Sequence, residues 1–136
     1  MTEDNRRRNL KLELKRGQES WLAAANLRQA GLNADAVSRA YYAMVHSARA
    51  VLLTEGLEAR THTGIATLLN LHFVRPGRLP SSAPRALTQL QGEREAADDD
   101  ASTIYAENDI KDIFSRAHEF CEACRTLLAG EGWLDE

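Results

Sequence analysis

The stretch from Ser38 to Leu53 constrains the fold most strongly, because it has two different helical faces. Apolar side chains recur through it at spacings of three and four, which is the pattern of a helix that buries one side. The apolar set consists of Val37, Ala40, Tyr41, Met44, Ala48, Val51 and Leu52. Such a helix needs other helices to cover its apolar side. The sequence therefore favours a helical bundle.

The second face of this helix has a different composition, with Arg39, Tyr42 and His46 on it. Arg39 and His46 are seven residues apart, and seven steps of about 100° fall about 20° short of two full turns. Their side chains therefore leave one side of the helix, with Tyr42 between them. Arginine can bind a phosphate and histidine can transfer a proton at neutral pH, so both are candidate functional residues.

Helical patterns cover most of the remaining sequence, and no segment alternates as a strand would. The expected helices cover about residues 4–30, 33–55, 61–76, 84–98 and 106–129. Glycines and prolines mark their ends. Six residues of the first helix are expected to be available to the core, namely Leu10, Leu14, Trp21, Leu22, Ala25 and Leu27. Gly17 is expected to weaken the middle of that helix. The predicted fold class is all-α, an antiparallel four- to five-helix bundle.

The 136 residues are predicted to form one domain, residues 1–136, with a core over about 4–129 and a short tail over 130–136. Hydrophobic residues make up 43% and charged residues 27%, and no apolar run reaches the ~20 residues of a membrane span. The charged N-terminus has no apolar segment behind it, so neither a signal peptide nor a membrane span is expected. We predict a cytoplasmic location.

Charge is unevenly distributed along the chain, whose net charge is −3. This balance argues against a protein that coats nucleic acid non-specifically, although it permits a localised basic site. The N-terminal turns are basic, through Arg6, Arg7, Arg8, Lys11, Lys15 and Arg16. We expect them to form a solvated face, with contacts to RNA phosphates as the alternative.

Cys121 and Cys124 form a CxxC motif, and His118 precedes it by three residues. Three helical ligands are too few for a closed structural zinc site, and the chain has no second cysteine pair. We therefore expect the two cysteines to be small core residues in a reducing compartment. The sequence predicts no metal site and no cofactor.

Three separated motifs resemble a known family. They are the run SRAYYAMVHSARAVLL, the run RTHTGIATLLNLHFVRPGRLP and the run REAAD. Together they are similar to the HEPN domain family, in particular to a small stand-alone prokaryotic branch with SRAYYAxxH, THxG and RxxAD motifs. The resemblance covers about residues 15–129 and keeps the three motifs in the family's order.

The resemblance implies a four- or five-helix bundle, usually a homodimer, in which helices of two subunits form a cleft. Many HEPN proteins are metal-independent endoribonucleases with an Arg-x(4–6)-His motif, and the six residues between Arg39 and His46 fit that spacing. Others bind nucleotides or RNA without cleavage. Bacterial members are often encoded beside a minimal nucleotidyltransferase as a toxin and antitoxin pair, which makes such an enzyme the expected protein partner.

Two positions depart from the pattern of that branch. Asp99 stands where the RxxAD motif usually continues with tyrosine, and Ala48 stands two residues after His46, where some toxins have a tyrosine that the partner modifies. Control through modification of a tyrosine at position 48 is therefore not expected.

Two functions are compatible with these residues. The first is an RNA-cleaving or RNA-binding toxin-like protein, with Arg39 and His46 catalytic and with Tyr42, His62, Arg94 and Asp98 contacting RNA or a nucleotide. The second is a non-catalytic helical module for dimerisation or partner binding. In that case Arg39 and Tyr42 would hydrogen-bond across the bundle to Asp98, and His46 would be a polar residue with its hydrogen bonds satisfied at the helix interface.

Three of these residues also have local alternatives. His62 is placed either to bind a phosphate at a helix start or simply to cap that helix with Thr61. Arg94 and Asp98 are four residues apart, so they are also expected as a local ion pair. Tyr41 is predicted in the core, and Tyr42 is the better candidate for stacking on a base.

Overall fold

The computed structural model describes residues 1–134, and every regular element in that range is a helix. The helices are α1 (Glu3–Gln29), α2 (Asn33–Leu53), α3 (His62–Leu69), α4 (Ser82–Asp99) and α5 (Glu107–Gly130). A π-helical turn, Asn70–Val74, prolongs α3. This architecture confirms the predicted all-α bundle. The last two residues of the predicted tail, 135 and 136, lie outside the described range.

Helices α1 and α2 form an antiparallel hairpin. The Thr2 hydroxyl caps α1 by accepting a hydrogen bond of 3.1 Å from the Asn5 N–H. At the other end Gly31 has a φ of 79°, a left-handed conformation that favours glycine. The N–H of Leu32 then donates to the Leu27 carbonyl at 2.9 Å, which closes the turn.

Gly17 lets the two helices of the hairpin approach closely. A Cβ atom at this position would lie 3.3 Å from the Cβ of His46 and 3.4 Å from the Ala43 carbonyl oxygen. The glycine that the sequence marks as a weak point in α1 is therefore a buried contact with α2.

The predicted core of α1 is partly wrong. Leu22 is 63% exposed and Ala25 is exposed. The face that α1 buries runs through Leu10, Gly17 and Ala24. Leu22 is two residues from Ala24, which corresponds to about 200° around the helix, and so it faces away from that stripe.

Helix α2 is the centre of the bundle, because it contacts α1, α3, α4 and α5. All seven of its predicted apolar positions are buried, and so are Ala36, Ala43, Val45, Ser47, Ala50 and Leu53. Among residues 35–54 only Asp35, Arg39 and Tyr42 are exposed.

No helix within residues 1–134 combines the length and the apolar character that crossing a membrane requires.

Arg78 joins three parts of the chain at one end of the bundle. Its guanidinium donates to both carboxylate oxygens of Glu131, at 2.9 and 2.6 Å, beyond the end of α5. It also donates to Glu55 and to the Thr54 hydroxyl, both at 3.3 Å, at the end of α2. The same group lies 4.3 Å from the centre of the Phe73 ring.

The basic N-terminal turns also bind this end of the bundle. Arg6 donates to the Thr54 carbonyl at 3.2 Å, and Arg7 donates to the Gly132 carbonyl at 2.8 Å. The Arg7 guanidinium lies 5.1 Å from the centre of the Trp133 ring. The expectation of a wholly solvated face is therefore wrong for these two arginines, because the bundle end offers them carbonyl oxygens and an aromatic ring.

The glycine contact between α1 and α2 gives a stability prediction. Gly17→Leu should lower the free energy of unfolding by about 1–3 kcal/mol, because the added side chain forces the hairpin apart. Gly92→Leu is the matched control on α4, where an added Cβ meets no atom within 4 Å. It should raise stability by up to about 0.8 kcal/mol through helix propensity. Urea unfolding followed by circular dichroism measures both, and equal stabilities would contradict the close-packing argument.

Candidate functional site

A surface depression between α1 and α2 brings Arg39, Tyr42 and His46 together. Its volume is about 320 Å³. Helix α1 contributes Arg16, Glu19, Ser20 and Ala23 to its lining. The side chain of His46 is 19% exposed and Tyr42 is 39% exposed. The pair predicted from the sequence therefore shares one open cavity.

Arg39 makes no hydrogen bond or ion pair with another residue of the range 1–134, and the same is true of Arg16 across the depression. A guanidinium has five N–H donors. Two guanidinium groups with free donors are thus placed beside a histidine in a cavity that is open to solvent. This combination is suited to binding an anion such as a phosphate.

Glu13 of α1 contacts His46 but does not itself line the depression. Its Oε2 lies 2.7 Å from Nδ1 of the imidazole, and the two side chains are 28% and 19% exposed. A carboxylate can only accept, so Nδ1–H donates to Glu13 and the neutral ring keeps its lone pair on Nε2. This hydrogen bond therefore selects the tautomer in which Nε2 can accept a proton.

Glu13 is a candidate site residue that the sequence analysis did not identify. It is one of several charged residues on a long amphipathic helix, and its spacing gives no sign of a partner. Glu13 can be identified as the partner of His46 only from the register of the hairpin, in which Arg6 contacts Thr54 and Gly17 contacts Ala43. This register places Glu13 opposite His46, but it depends on how α1 and α2 pack.

A second cluster lies where α2 meets α3 and α4, and Tyr41 is at its centre. Tyr41 is 5% exposed, and its hydroxyl lies 2.5 Å from Nδ1 of His62. Burial raises the pKa of Tyr41 to about 12 and lowers the pKa of His62. Both groups are therefore neutral at pH 7, and we assign the phenol as the donor to Nδ1. The cap of α3 is Thr61 and not His62, because the Thr61 hydroxyl accepts from the Gly64 N–H at 3.0 Å.

Arg94 of α4 completes this cluster. Its guanidinium lies 5.6 Å from the Tyr41 ring centre and 5.8 Å from the Tyr42 ring centre. It donates to Asp98 at 3.1 Å, which is the expected local ion pair, and to the Tyr42 hydroxyl at 3.4 Å. Arg94 thus connects Asp98 to Tyr42, whereas Arg39 has no bond to Asp98.

Tyr42 is the link between the two clusters. It lines the depression with Arg39 and His46, and its hydroxyl accepts a hydrogen bond from Arg94. The structure therefore places Arg39, Tyr42 and His46 together, and it places His62, Arg94 and Asp98 behind Tyr42 in the second cluster. The three motifs of the sequence converge on this one region of the surface.

The cysteines lie apart from both clusters. Cys124 is buried and Cys121 is half-buried, and burial raises the pKa of both thiols. His118 is exposed, and its ring centre lies 5.9 Å from that of Trp21. In the described part of the chain no group of three or more His, Cys, Asp or Glu side chains is arranged to hold a metal ion.

The lowered pKa of His62 gives a prediction for stability against pH. Burial is the main cause, Glu95 acts against it, and Arg94 adds to it. Below about pH 6.5 the unfolded chain binds a proton at this histidine that the folded chain does not. This contribution to stability is therefore present above about pH 6.5 and is lost as the pH falls.

Urea unfolding of the parent protein and of His62→Gln, at about pH 7.5 and about pH 5.5, tests this predicted loss of stability. The variant keeps the other titratable groups, so its loss of stability on acidification should be smaller than the parent's. The same loss in both proteins would contradict the assignment.

Comparison with known proteins finds a family profile whose range includes all three motifs. The HEPN domain profile matches residues 11–127 of this chain. A "Putative toxin" of Methanocaldococcus jannaschii is 40% identical over 81 residues, which is 60% of each chain. A UPF0332 protein of Pyrococcus horikoshii is 35% identical over 57% of this chain and 54% of its own length. This chain thus spans less than two thirds of the length of these two relatives.

A third relative matches over a longer region. A UPF0332 protein of Gloeobacter violaceus is 31% identical over 115 residues, which cover 84% of this chain and 91% of that protein. The profile and this alignment both extend from α1 into α5. The chain belongs to the HEPN domain family.

Proposed function

We propose that this chain is a toxin-like, metal-independent endoribonuclease in which Arg39 and His46 are the catalytic residues. One observation carries the proposal: Arg39, which has no hydrogen-bond or ion-pair partner among the described residues, and His46, which bonds to Glu13, line the same open depression. Membership of the HEPN family supports it, and so does the name "Putative toxin" of one relative. The proposed location is the cytoplasm.

The proposed reaction is an attack by a ribose 2′-oxygen on the adjacent phosphorus. Nε2 of His46 takes the 2′-OH proton, and the Arg39 guanidinium stabilises the negative charge that develops on the phosphate oxygens. The bond from phosphorus to the 5′-oxygen breaks, and that oxygen takes a proton. The products are a 2′,3′-cyclic phosphate and a 5′-hydroxyl end. Proton transfer and charge stabilisation thus both come from side chains.

The acid that protonates the leaving 5′-oxygen is proposed to come from a second copy of the chain. Each chain has one histidine in the depression, His46. A homodimer that apposes two such depressions supplies a second His46, so that one imidazole acts as base and the other as acid. We therefore propose that the active species is a homodimer.

Tyr42 is proposed to stack on a base of the RNA, since 39% of it is exposed in the depression. Arg94 donates to its hydroxyl and also to Asp98, and His62 accepts from the hydroxyl of the neighbouring Tyr41. The three residues would thus affect RNA or nucleotide binding through Tyr42. A minimal nucleotidyltransferase is the proposed antitoxin partner.

RNA cleavage by the purified, EDTA-treated protein tests the catalytic assignment. His46→Ala and Arg39→Ala should each lower the cleavage rate of total RNA and tRNA by at least about 100-fold. His118→Ala is the matched control, because His118 is exposed on α5 outside the depression. All four proteins are compared at equal folded fraction and equal dimer content. No cleavage by the parent, or equal cleavage by all, would contradict the proposal and favour a non-catalytic module for dimerisation or partner binding.

Glu13 is proposed as the positioning residue for His46, and a graded pair of variants tests this role. Glu13→Ala removes a charge-assisted hydrogen bond worth about 1.5–3 kcal/mol, so the cleavage rate should fall about ten- to hundredfold. Glu13→Gln keeps an acceptor oxygen for Nδ1–H and should lose less. Glu119→Ala, on exposed α5 surface, is the control. If Glu13→Gln and Glu13→Ala cleave equally fast, the carboxylate does not select the tautomer.

A further inference from the structure

Helix α1 has a second periodic face, opposite the one that packs against α2. Lys15 and Glu19 are each two residues from the buried Gly17, which is about 200° around the helix. Residues on this face recur at alternating spacings of four and three, so they stay within about 40° of one line along the helix. All of them are exposed. This face is the outer stripe, which consists of Arg8, Leu12, Lys15, Glu19, Leu22 and Asn26.

Two leucines of the outer stripe are placed symmetrically. Leu12 is 58% exposed and Leu22 is 63% exposed. Single exposed leucines are common on protein surfaces, so their exposure alone indicates no contact. These two, however, lie five residues before and five residues after position 17. A second α1 helix that runs in the opposite direction would therefore bring its own two leucines to the same two levels.

The charged residues between the leucines have the same symmetry. Lys15 lies two residues before position 17 and Glu19 lies two residues after it. Neither side chain makes a hydrogen bond or ion pair within residues 1–134. They are four residues apart with the lysine first, which is the less favourable order for an ion pair within one helix. Both charges are thus available to a partner outside the chain.

Charge complementarity selects an antiparallel copy of the same helix as that partner. When two α1 helices are centred on position 17, Leu12 lies opposite Leu22 of the partner subunit, and Lys15 lies opposite Glu19 of the partner subunit. A parallel pair in register would place lysine against lysine and glutamate against glutamate, which is repulsive. The alternating spacing of three and four is the one by which two helices interdigitate their side chains. Two-fold symmetry makes each contact twice.

We propose that the outer stripe of α1 binds the outer stripe of a second copy of this chain, antiparallel and centred on position 17. Glu19 also lines the depression that holds His46. The partner subunit's Lys15 therefore reaches the rim of the site and offsets the negative charge of Glu19 there. A dimer formed in this way would present a more cationic depression than one chain alone.

This contact goes beyond the proposed function. The outer stripe faces away from α2, so the contact leaves the two His46 side chains on the far flanks of the paired α1 helices. It is therefore distinct from the apposition of two depressions that the proposed reaction needs. Two different two-fold contacts on one chain give an assembly of more than two copies.

Disulfide cross-linking tests the register. A chain with both Leu12→Cys and Leu22→Cys should form covalent dimers on mild oxidation, because each new thiol lies opposite the other in the partner subunit. Non-reducing gel electrophoresis should show a band at twice the chain mass of 15.1 kDa. Each single variant should not cross-link, since two copies of one position are about 15 Å apart along the paired helices. The parent protein controls for Cys121 and Cys124, which are half-buried and buried.

Charge variants of the double-cysteine chain test the pairing of Lys15 with Glu19. Lys15→Glu should slow cross-linking at least about tenfold at low salt, because it brings four carboxylates together. Adding Glu19→Lys restores opposite charges across the contact, so the rate should return to within about twofold of the starting value. Lys111→Glu, at an exposed position of α5, is the matched control for net charge and should leave the rate unchanged.

Several results would overturn the proposal. Equal cross-linking of the single and double cysteine variants would exclude the antiparallel register. No cross-linking of a double variant that keeps the parent's helical circular dichroism would show that the outer stripe is not a contact between copies. A rate that Glu19→Lys does not restore would exclude the charge pairing. None of these results bears on Arg39 and His46, whose role is measured by RNA cleavage.

Discussion

The burial of α2 is the constraint on which the rest of this structure depends. Four helices contact α2, and its small and apolar residues fill the space between them. Any polar side chain on α2 must therefore lie on the one strip that α1 and α4 leave uncovered, or else find a partner inside the bundle. Arg39, Tyr42 and His46 lie on that strip, whereas Tyr41 bonds to His62 inside the bundle. The packing that stabilises the bundle also selects which groups reach solvent.

The helices of this bundle could be predicted from the sequence because their determinants are local. The period of apolar residues, the threonine caps at Thr2 and Thr61 and the turn at Gly31 each act within a few residues. Features that depend on two helices at once were not predictable in this way. Gly17 looks like a weak point until α2 is placed beside it, and Leu22 looks like a core residue until the tilt of the buried stripe is known.

The site shows the same division between local and tertiary information. The period of a helix is enough to place Arg39 and His46 on one side, and the structure puts both in one depression. The residue that orients His46 comes from another helix, so its identity depends on the register between α1 and α2. The link between Tyr42 and Arg94 likewise needs the position of α4. The motifs thus indicate where chemistry is possible, and the packing decides which side chains support it.

The contacts of Arg78 have a consequence for the order in which the molecule can be completed during synthesis. This arginine joins Glu55 and Thr54, which follow α2, to Glu131, which follows α5. Arg78 can bond to Thr54 and Glu55 once α3 has been made, whereas Glu131 is added only after all five helices. A nascent chain that still lacks Glu131 therefore has Arg39 and His46 on α2 but only part of the Arg78 network.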